Sequence, residues 1–197
     1  MGRPSGFDRD HAVEVAMNEI WSSGYAAFSV KSISEKLGIT RSSFYNAFQS
    51  REALFREALA RYFAQSPDKA FAVAGEGARV KALVTKTFRE VCRARASDPE
   101  GRGCMAVNCA AELCNVDKEL GGLLTEAILG SLDCLEKLLR LGVKQGEIAK
   151  DADTHALALA LQNLLIGLNL MCKVVRDEAE LWLAAETTLR GLGLLDE

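Results

Sequence analysis

Apolar side chains recur along most of this chain with the spacing of successive helix faces, and the breaks between runs fall on helix-ending residues. Over about residues 8–23, Val13, Met17, Ile20 and Trp21 line one side, and Gly24 follows where a helix-terminating glycine belongs. Ser29 is placed to cap a short second helix carrying Val30, Ile33 and Leu37, which Gly38 ends. Only Ile39 then separates it from Thr40, the expected cap of a third helix that reads Thr40-Arg41-Ser42-Ser43-Phe44-Tyr45-Asn46-Ala47-Phe48. Phe44 and Phe48 stand four apart and face the same way, which leaves the other side of that helix polar. Ser50 caps a fourth helix with Ala53, Leu54, Ala58 and Leu59 inward, ending near Ser66-Pro67.

Beyond Pro67 and the Gly75-Glu76-Gly77 stretch the runs lengthen, predicting helices over about residues 78–96, 105–113, 120–144, 156–175 and 179–192. The expected fold class is all-α, with about nine helices in total. A three-helix bundle containing a helix-turn-helix occupies residues 1–66, and a larger helical domain occupies residues 67–197. The 156–175 run is apolar enough to raise the question of a membrane span, but Gln162, Asn163, Asn169 and Lys173 interrupt it. A helix buried on more than one side is the better account, and no membrane partner is expected.

Composition narrows the class without deciding the function. The 197 residues are 49% hydrophobic and 26% charged, ordinary for a soluble globular chain and too apolar for disorder. Residues 1–66 hold eight Lys/Arg against seven Asp/Glu, and residues 67–197 sixteen against twenty, so bulk charge does not itself argue for nucleic acid. The six cysteines could number three bridges, but Met1 to Asp10 holds no apolar secretion segment, so free thiols in a cytoplasm are expected. Gly6 stands where a myristoylation motif needs Ser or Thr.

Two short helices joined by a tight glycine-containing turn make a helix-turn-helix, whose second helix enters the DNA major groove. The residue types fit that use. Thr40, Arg41, Ser42, Ser43, Tyr45 and Asn46 supply short or flexible donors and acceptors for base edges and phosphate oxygens. Ser29, Lys31 and Ser32 at the start of one neighbouring helix, and Arg51 at the start of the other, are positioned for flanking phosphates, with the helix N-termini assisting.

Residues 12–59 resemble the DNA-binding domain of the TetR family almost throughout: Gly24-Tyr25, Ser29-Val30 with Ile33, Leu37-Gly38-Ile39, Ser43-Phe44-Tyr45 with Phe48, and Ser50-Arg51-Glu52-Ala53-Leu54-Phe55. The resemblance implies that Thr40, Ser42, Ser43, Tyr45 and Arg51 meet DNA, Tyr45 as a phosphate donor, while Ile33, Leu37, Phe44, Phe48 and Leu54 form the core. The chain departs from the family at Asn46-Ala47, where an aromatic or histidine is usual; Asn46 is suited to an adenine edge instead. Its basic N-terminal arm is thin, with Arg3 and Arg9.

The resemblance further implies a C-terminal pocket for a small-molecule effector and a homodimer through the last two helices, about residues 156–175 and 179–192. The sequence suits the dimer independently, since Leu157, Leu161, Leu164 and Leu168 lie on one side of the first of these helices and Leu159, Ile166, Leu170 and Val174 on another. Leu181, Trp182, Ala185, Leu189 and Leu192 are the corresponding residues of the last helix. Two reading helices about 34 Å apart would then match a palindromic operator. Effector binding in the C-terminal core is expected to tilt the helices connected to Leu54–Phe63 and so change the spacing of the two DNA-reading heads.

The segment Gly101-Arg102-Gly103-Cys104-Met105-Ala106-Val107-Asn108-Cys109 resembles one of a TetR subgroup, some of whose members sense electrophiles or oxidants through a cysteine. Cys104 is expected at a helix N-terminus beside Arg102, both influences that favour a thiolate; Arg102, Cys104 and Asn108 are the candidate effector-sensing residues. The alternative is a small half-buried residue that packs the helix start. Zinc on Cys104, Cys109 and Cys114 is not expected, because steps of five turn each thiol about 140° from the last. No catalytic triad order, phosphate-cradling glycine loop or metal-ligand spacing is present in the sequence, so a regulator with no cofactor is expected, not an enzyme. His11 and His155 are read as surface or cap residues, and Phe88, Met171 and Trp182 as core or pocket wall.

Overall fold

The structure, a computed structural model, describes residues 8–197. The expectations for Arg3 and Gly6 lie outside the described residues. Among the described residues there are nine α-helices, one 3-10 turn and no strand. They divide into two compact units, the first ending at Gln65 and the second running Ser66–Glu197.

The first unit holds α1 (Arg9–Ser23), α2 (Val30–Leu37), α3 (Arg41–Phe48) and α4 (Arg51–Gln65). Each start has a side-chain oxygen on an otherwise orphan N–H: Asp8 for α1, Ser29 for α2, Thr40 for α3 and Ser50 for α4. α1 and α4 pack lengthwise, burying Ala12, Ala16, Met17 and Ile20 against Leu54, Phe55, Ala58 and Leu59. Ile33, Phe44 and Phe48 complete that core, each worth about 1.5–3 kcal/mol on removal from water. Leu37 is only half-buried, at the end of α2, where the chain already turns outward.

The second unit opens with the 3-10 turn Pro67–Phe71 and continues through α5 (Val80–Ala96), α6 (Met105–Leu113), α7 (Lys118–Gln145), α8 (Thr154–Met171) and α9 (Glu178–Gly191). α7 pairs mainly with α8, and α5 with α9, around Val84, Phe88, Leu135, Leu139, Leu161, Leu168, Ala185 and Leu189. Helix starts differ from the sequence expectation where a carboxylate takes up the first N–H groups. α5 begins at Val80 because the Glu147 carboxylate, from the α7–α8 connection, accepts the Val80 and Lys81 N–H groups at 2.9 and 3.0 Å. α7 begins two residues early because Asp117 caps it. α8 stops at Met171, four residues short, and Lys173 to Val175 run through turns toward the Asp177 cap of α9.

Candidate nucleic-acid interface

The Gly38 hinge between α2 and α3 follows directly from its sequence. Gly38 takes the left-handed conformation at φ +63°, its N–H and that of Ile39 close on the Ser34 carbonyl, and Thr40 then begins α3. The Thr40 hydroxyl accepts the Ser43 N–H at 3.1 Å and lies 2.9 Å from the Ser43 hydroxyl, so the first turn of α3 is fixed by its own side chains. Phe44 and Phe48, fully buried with ring centroids 5.5 Å apart, seat the helix from below. Thr40, Arg41, Ser42, Ser43, Tyr45 and Asn46 all face solvent as a result. Tyr45 is 51% exposed, its ring held edge-on to Phe44 at 5.5 Å so that the hydroxyl projects away from the core.

The flanks are less uniform. Lys31 is exposed, as is Arg41, and among the described residues neither makes an ion pair or side-chain hydrogen bond. Ser29 and Ser32 are half-buried; the Ser29 hydroxyl is the α2 cap and the Ser32 hydroxyl lies 3.5 Å from Glu19, which also pairs with Lys36. Arg51 is turned inward. Its Nε donates to the Tyr25 hydroxyl at 3.0 Å, its Nη1 to the Phe28 carbonyl at 2.9 Å, and the guanidinium lies 4.0 Å over the Tyr25 ring. Burial pushes the Tyr25 hydroxyl up in pKa despite Arg51.

Arg9 is likewise held within the unit. It makes a two-pronged ion pair with Glu57, donates to the Ala47 carbonyl and lies 4.7 Å over the Phe48 ring, tying α1, α3 and α4 together. Nothing in the spacing of the sequence distinguishes an arginine that binds its own fold from one left for DNA. The α3–α4 reversal is equally unannounced: Gln49 adopts φ +65°, ψ −46°, and the Ser50 N–H closes on the Phe48 carbonyl at 2.7 Å, a strained three-residue turn.

In the second unit the structure brings Arg102, Cys104 and Asn108 together around the start of α6. Cys104 is its half-buried cap residue and makes no capping hydrogen bond, and the Asn108 amide donates to the Arg102 carbonyl at 2.8 Å. Arg102 directs its charge to Asp98, with a guanidinium contact at 3.1 Å and its N–H at 2.7 Å. Burial would raise the Asp98 pKa, but the Arg102 contacts together with backbone N–H groups outweigh it and hold the carboxyl below the usual range. Arg176 donates to the Pro99 and Glu100 carbonyls at 2.9 and 3.3 Å, and buried Asn169 on α8 accepts from buried Arg95 on α5 at 2.5 Å.

All six cysteines are free, with Cys92, Cys109 and Cys172 buried, Cys104 and Cys134 half-buried and Cys114 exposed. Among the described residues no group of three or more His, Cys, Asp or Glu is placed to hold a metal ion. A hollow of about 460 Å³ is lined by Lys81, Glu147, Ile148, Leu157, Leu192 and Gly193, away from the Cys104 segment in its lining. Phe88 is buried and Trp182 half-buried beneath Arg89, whereas Met171, expected as core or wall, is 49% exposed because α8 ends there with its outer side bare.

α8 is, among the described residues, the one helix long and apolar enough to cross a membrane, and most of it is not buried. Its polar residues are nevertheless used inside the unit: Gln162 accepts from Ser131 of α7, and Asn169 joins Arg95 of α5. Exposed apolar side chains remain at Leu159, Leu170 and Met171 of α8, at Val174 just after it and at Leu183 of α9.

A polar, solvent-facing second helix seated on two buried phenylalanines, inside an all-helical chain with a larger helical unit, defines a helix-turn-helix transcriptional regulator that binds DNA. The chain belongs to the TetR family. Residues 12–58 match the family of bacterial regulatory proteins, tetR family, and residues 77–188 match the tetracyclin repressor-like C-terminal domain. The chain is 28% identical to the HTH-type transcriptional repressor ComR of Escherichia coli K12, over 96% of this chain and 90% of that one. It is 22% identical to the HTH-type transcriptional repressor NemR of the same strain, over 86% and 85%. Among solved structures, a cysteine mutant of the TetR family regulator CifR bound to 26-bp double-strand operator DNA superposes with a TM-score of 0.84, at 31% identity over 96% of this chain and 98% of that one.

Proposed function

We propose that this chain is a cytoplasmic repressor that binds a palindromic operator as a homodimer and leaves it when a small molecule, of electrophilic type, acts on the C-terminal unit. The observation that carries the reading is the exposed edge of α3, Thr40 to Asn46, standing on buried Phe44 and Phe48. Thr40, Arg41, Ser42, Ser43, Tyr45 and Asn46 are the contacts of α3, and Ser29, Lys31 and Ser32 those of the α2 start. The operator-bound relative CifR and the repressor names of ComR and NemR support the same role.

The dimer rests on the bare apolar side chains of α8 and α9, which a single chain leaves in water. Pairing them across a two-fold axis buries them and sets two α3 helices one DNA turn apart. Cys104 supports an electrophilic effector through its place at an uncapped helix start, in a loop fastened to the α8–α9 connection. Changes there tilt α4 and respace the heads, by no more than the effector's difference in affinity for the two states.

Footprinting on the promoter beside its own coding region tests the reading. Protection of two half-sites about ten base pairs apart is expected, weakening as salt rises, with release by N-ethylmaleimide lost in Cys104→Ser. Protection without any release by the electrophile removes the effector assignment alone; no protection removes the operator reading.

A further inference from the structure

We infer that Arg51 is a positioning residue for DNA reading, acting through the α1–α2 connection, and is not itself a phosphate contact. The inference rests on the reading that α2 and α3 face DNA. Arg51 opens α4, yet its guanidinium reaches across to two groups that precede α2: the Tyr25 hydroxyl at 3.0 Å and the Phe28 carbonyl at 2.9 Å. Tyr25 is 3% exposed and Phe28 is fully buried, so both partners are fixed by the core. Tyr25 packs edge-on to Phe55 of α4 at 4.9 Å, and its hydroxyl lies 3.3 Å from Glu52.

The geometry explains what the fork controls. The Phe28 carbonyl belongs to the peptide that leads into Ser29, the cap of α2, and Ser29 is in extended conformation with its hydroxyl on the Ser32 N–H. Holding that carbonyl sets the plane of the peptide and with it the direction in which α2 departs. Lys31 and Ser32 lie in the first turn of α2, and α3 follows after the short Gly38–Thr40 link. One guanidinium therefore aligns the α2 start with α4. It uses the rigid donor fork and flat face that lysine lacks, since an ammonium cannot bridge both acceptors and stack on the ring together.

The alternative, a phosphate contact, makes opposite demands. A cation on phosphate is replaceable by lysine, and its removal lowers the salt slope of binding by about 0.9 per subunit. The test uses a duplex enriched by the wild-type protein from a randomised library, titrated over a range of salt with Arg51→Lys, Arg51→Met and Tyr25→Phe. Circular dichroism establishes the folded fraction.

We expect Arg51→Lys and Arg51→Met both to weaken binding by about tenfold, the scale of a lost charged hydrogen bond, with the salt slope unchanged. Lys31→Ala is expected to have a smaller effect in either background than in the wild type, because its phosphate is already misaligned. Tyr25→Phe, which removes the hydroxyl that accepts from Arg51 and donates to Glu52 but leaves the Phe28 carbonyl contact, gives a smaller loss in the same direction and keeps the test open if the Arg51 variants fail to fold. Wild-type affinity in Arg51→Lys, a reduced slope in Arg51→Met, or unchanged affinity in fully folded Arg51→Met and Tyr25→Phe would each overturn the inference while leaving the DNA-reading assignment standing. If the wild type enriches no duplex, that assignment falls and the inference with it.

Discussion

Alanine at Gly103 is expected to be markedly more damaging than alanine at Gly101, although both glycines sit in one loop with positive φ, +72° and +59°. The backbone component is shared, about 1–2 kcal/mol for an L-residue forced into the left-handed region. The difference lies in what the new methyl meets. At Gly103 it would fall 2.2 Å from the Asn169 carbonyl oxygen, part of the α8 backbone and unable to move without the helix. At Gly101 it would fall 2.4 Å from the guanidinium carbon of Arg176, the far end of a flexible and exposed side chain. Overpacking against a fixed neighbour adds about 1–3 kcal/mol, whereas Arg176 swings out and exchanges its contacts with the Asp98, Pro99 and Glu100 carbonyls for water. Urea unfolding in a Trp21→Phe background, where Trp182 alone reports on the second unit, is expected to separate the two variants by at least about 1 kcal/mol. Equal losses, or a milder Gly103→Ala, would refute the placement of this loop against α8.

Three further outcomes are expected. Ser34→Ala should raise stability by about 1 kcal/mol, seen in thermal unfolding, because the Ser34 hydroxyl is buried with no hydrogen-bond partner among the described residues and its removal ends an uncompensated desolvation. Asp98, with its folded pKa lowered, stabilises the second unit above its unfolded pKa of about 4 and loses that contribution as pH falls through the lower folded value; Asp98→Asn should be less stable near neutrality and flatter on the acid side. Under limiting iodoacetamide at neutral pH, peptide mapping should find exposed Cys114 alkylated well before Cys92, which stays protected until unfolding because burial and nearby Glu178 push its thiol up to about 11.

The fold was largely legible because its signals are local. Ser29, Gly38 and Thr40 are cap and stop residues whose preference acts within a few positions, and the structure uses them as caps and stop. The Phe44–Phe48 spacing likewise places the polar edge of α3 outward without help from the rest of the chain. What escaped the sequence depends on partners far away along it. The α5 start is set by Glu147, the inward turn of Arg51 by Tyr25 and Phe28, and that of Arg9 by Glu57. A charged residue beside a helix-turn-helix has the same pattern whether it serves the fold or the ligand, and only three-dimensional proximity separates the two.

The Gln49 turn leaves the reading helix almost no play. Only Gln49 and Ser50 stand between the last residue of α3 and the first of α4, and their backbone is already drawn into its tightest closure. α4 is a rod of about 22 Å at its normal rise per residue. A rotation imposed at its far end is therefore delivered to α3 at once, instead of being absorbed by slack in a connecting loop. Lengthening this link by a few glycines would keep both helices yet let their directions vary independently.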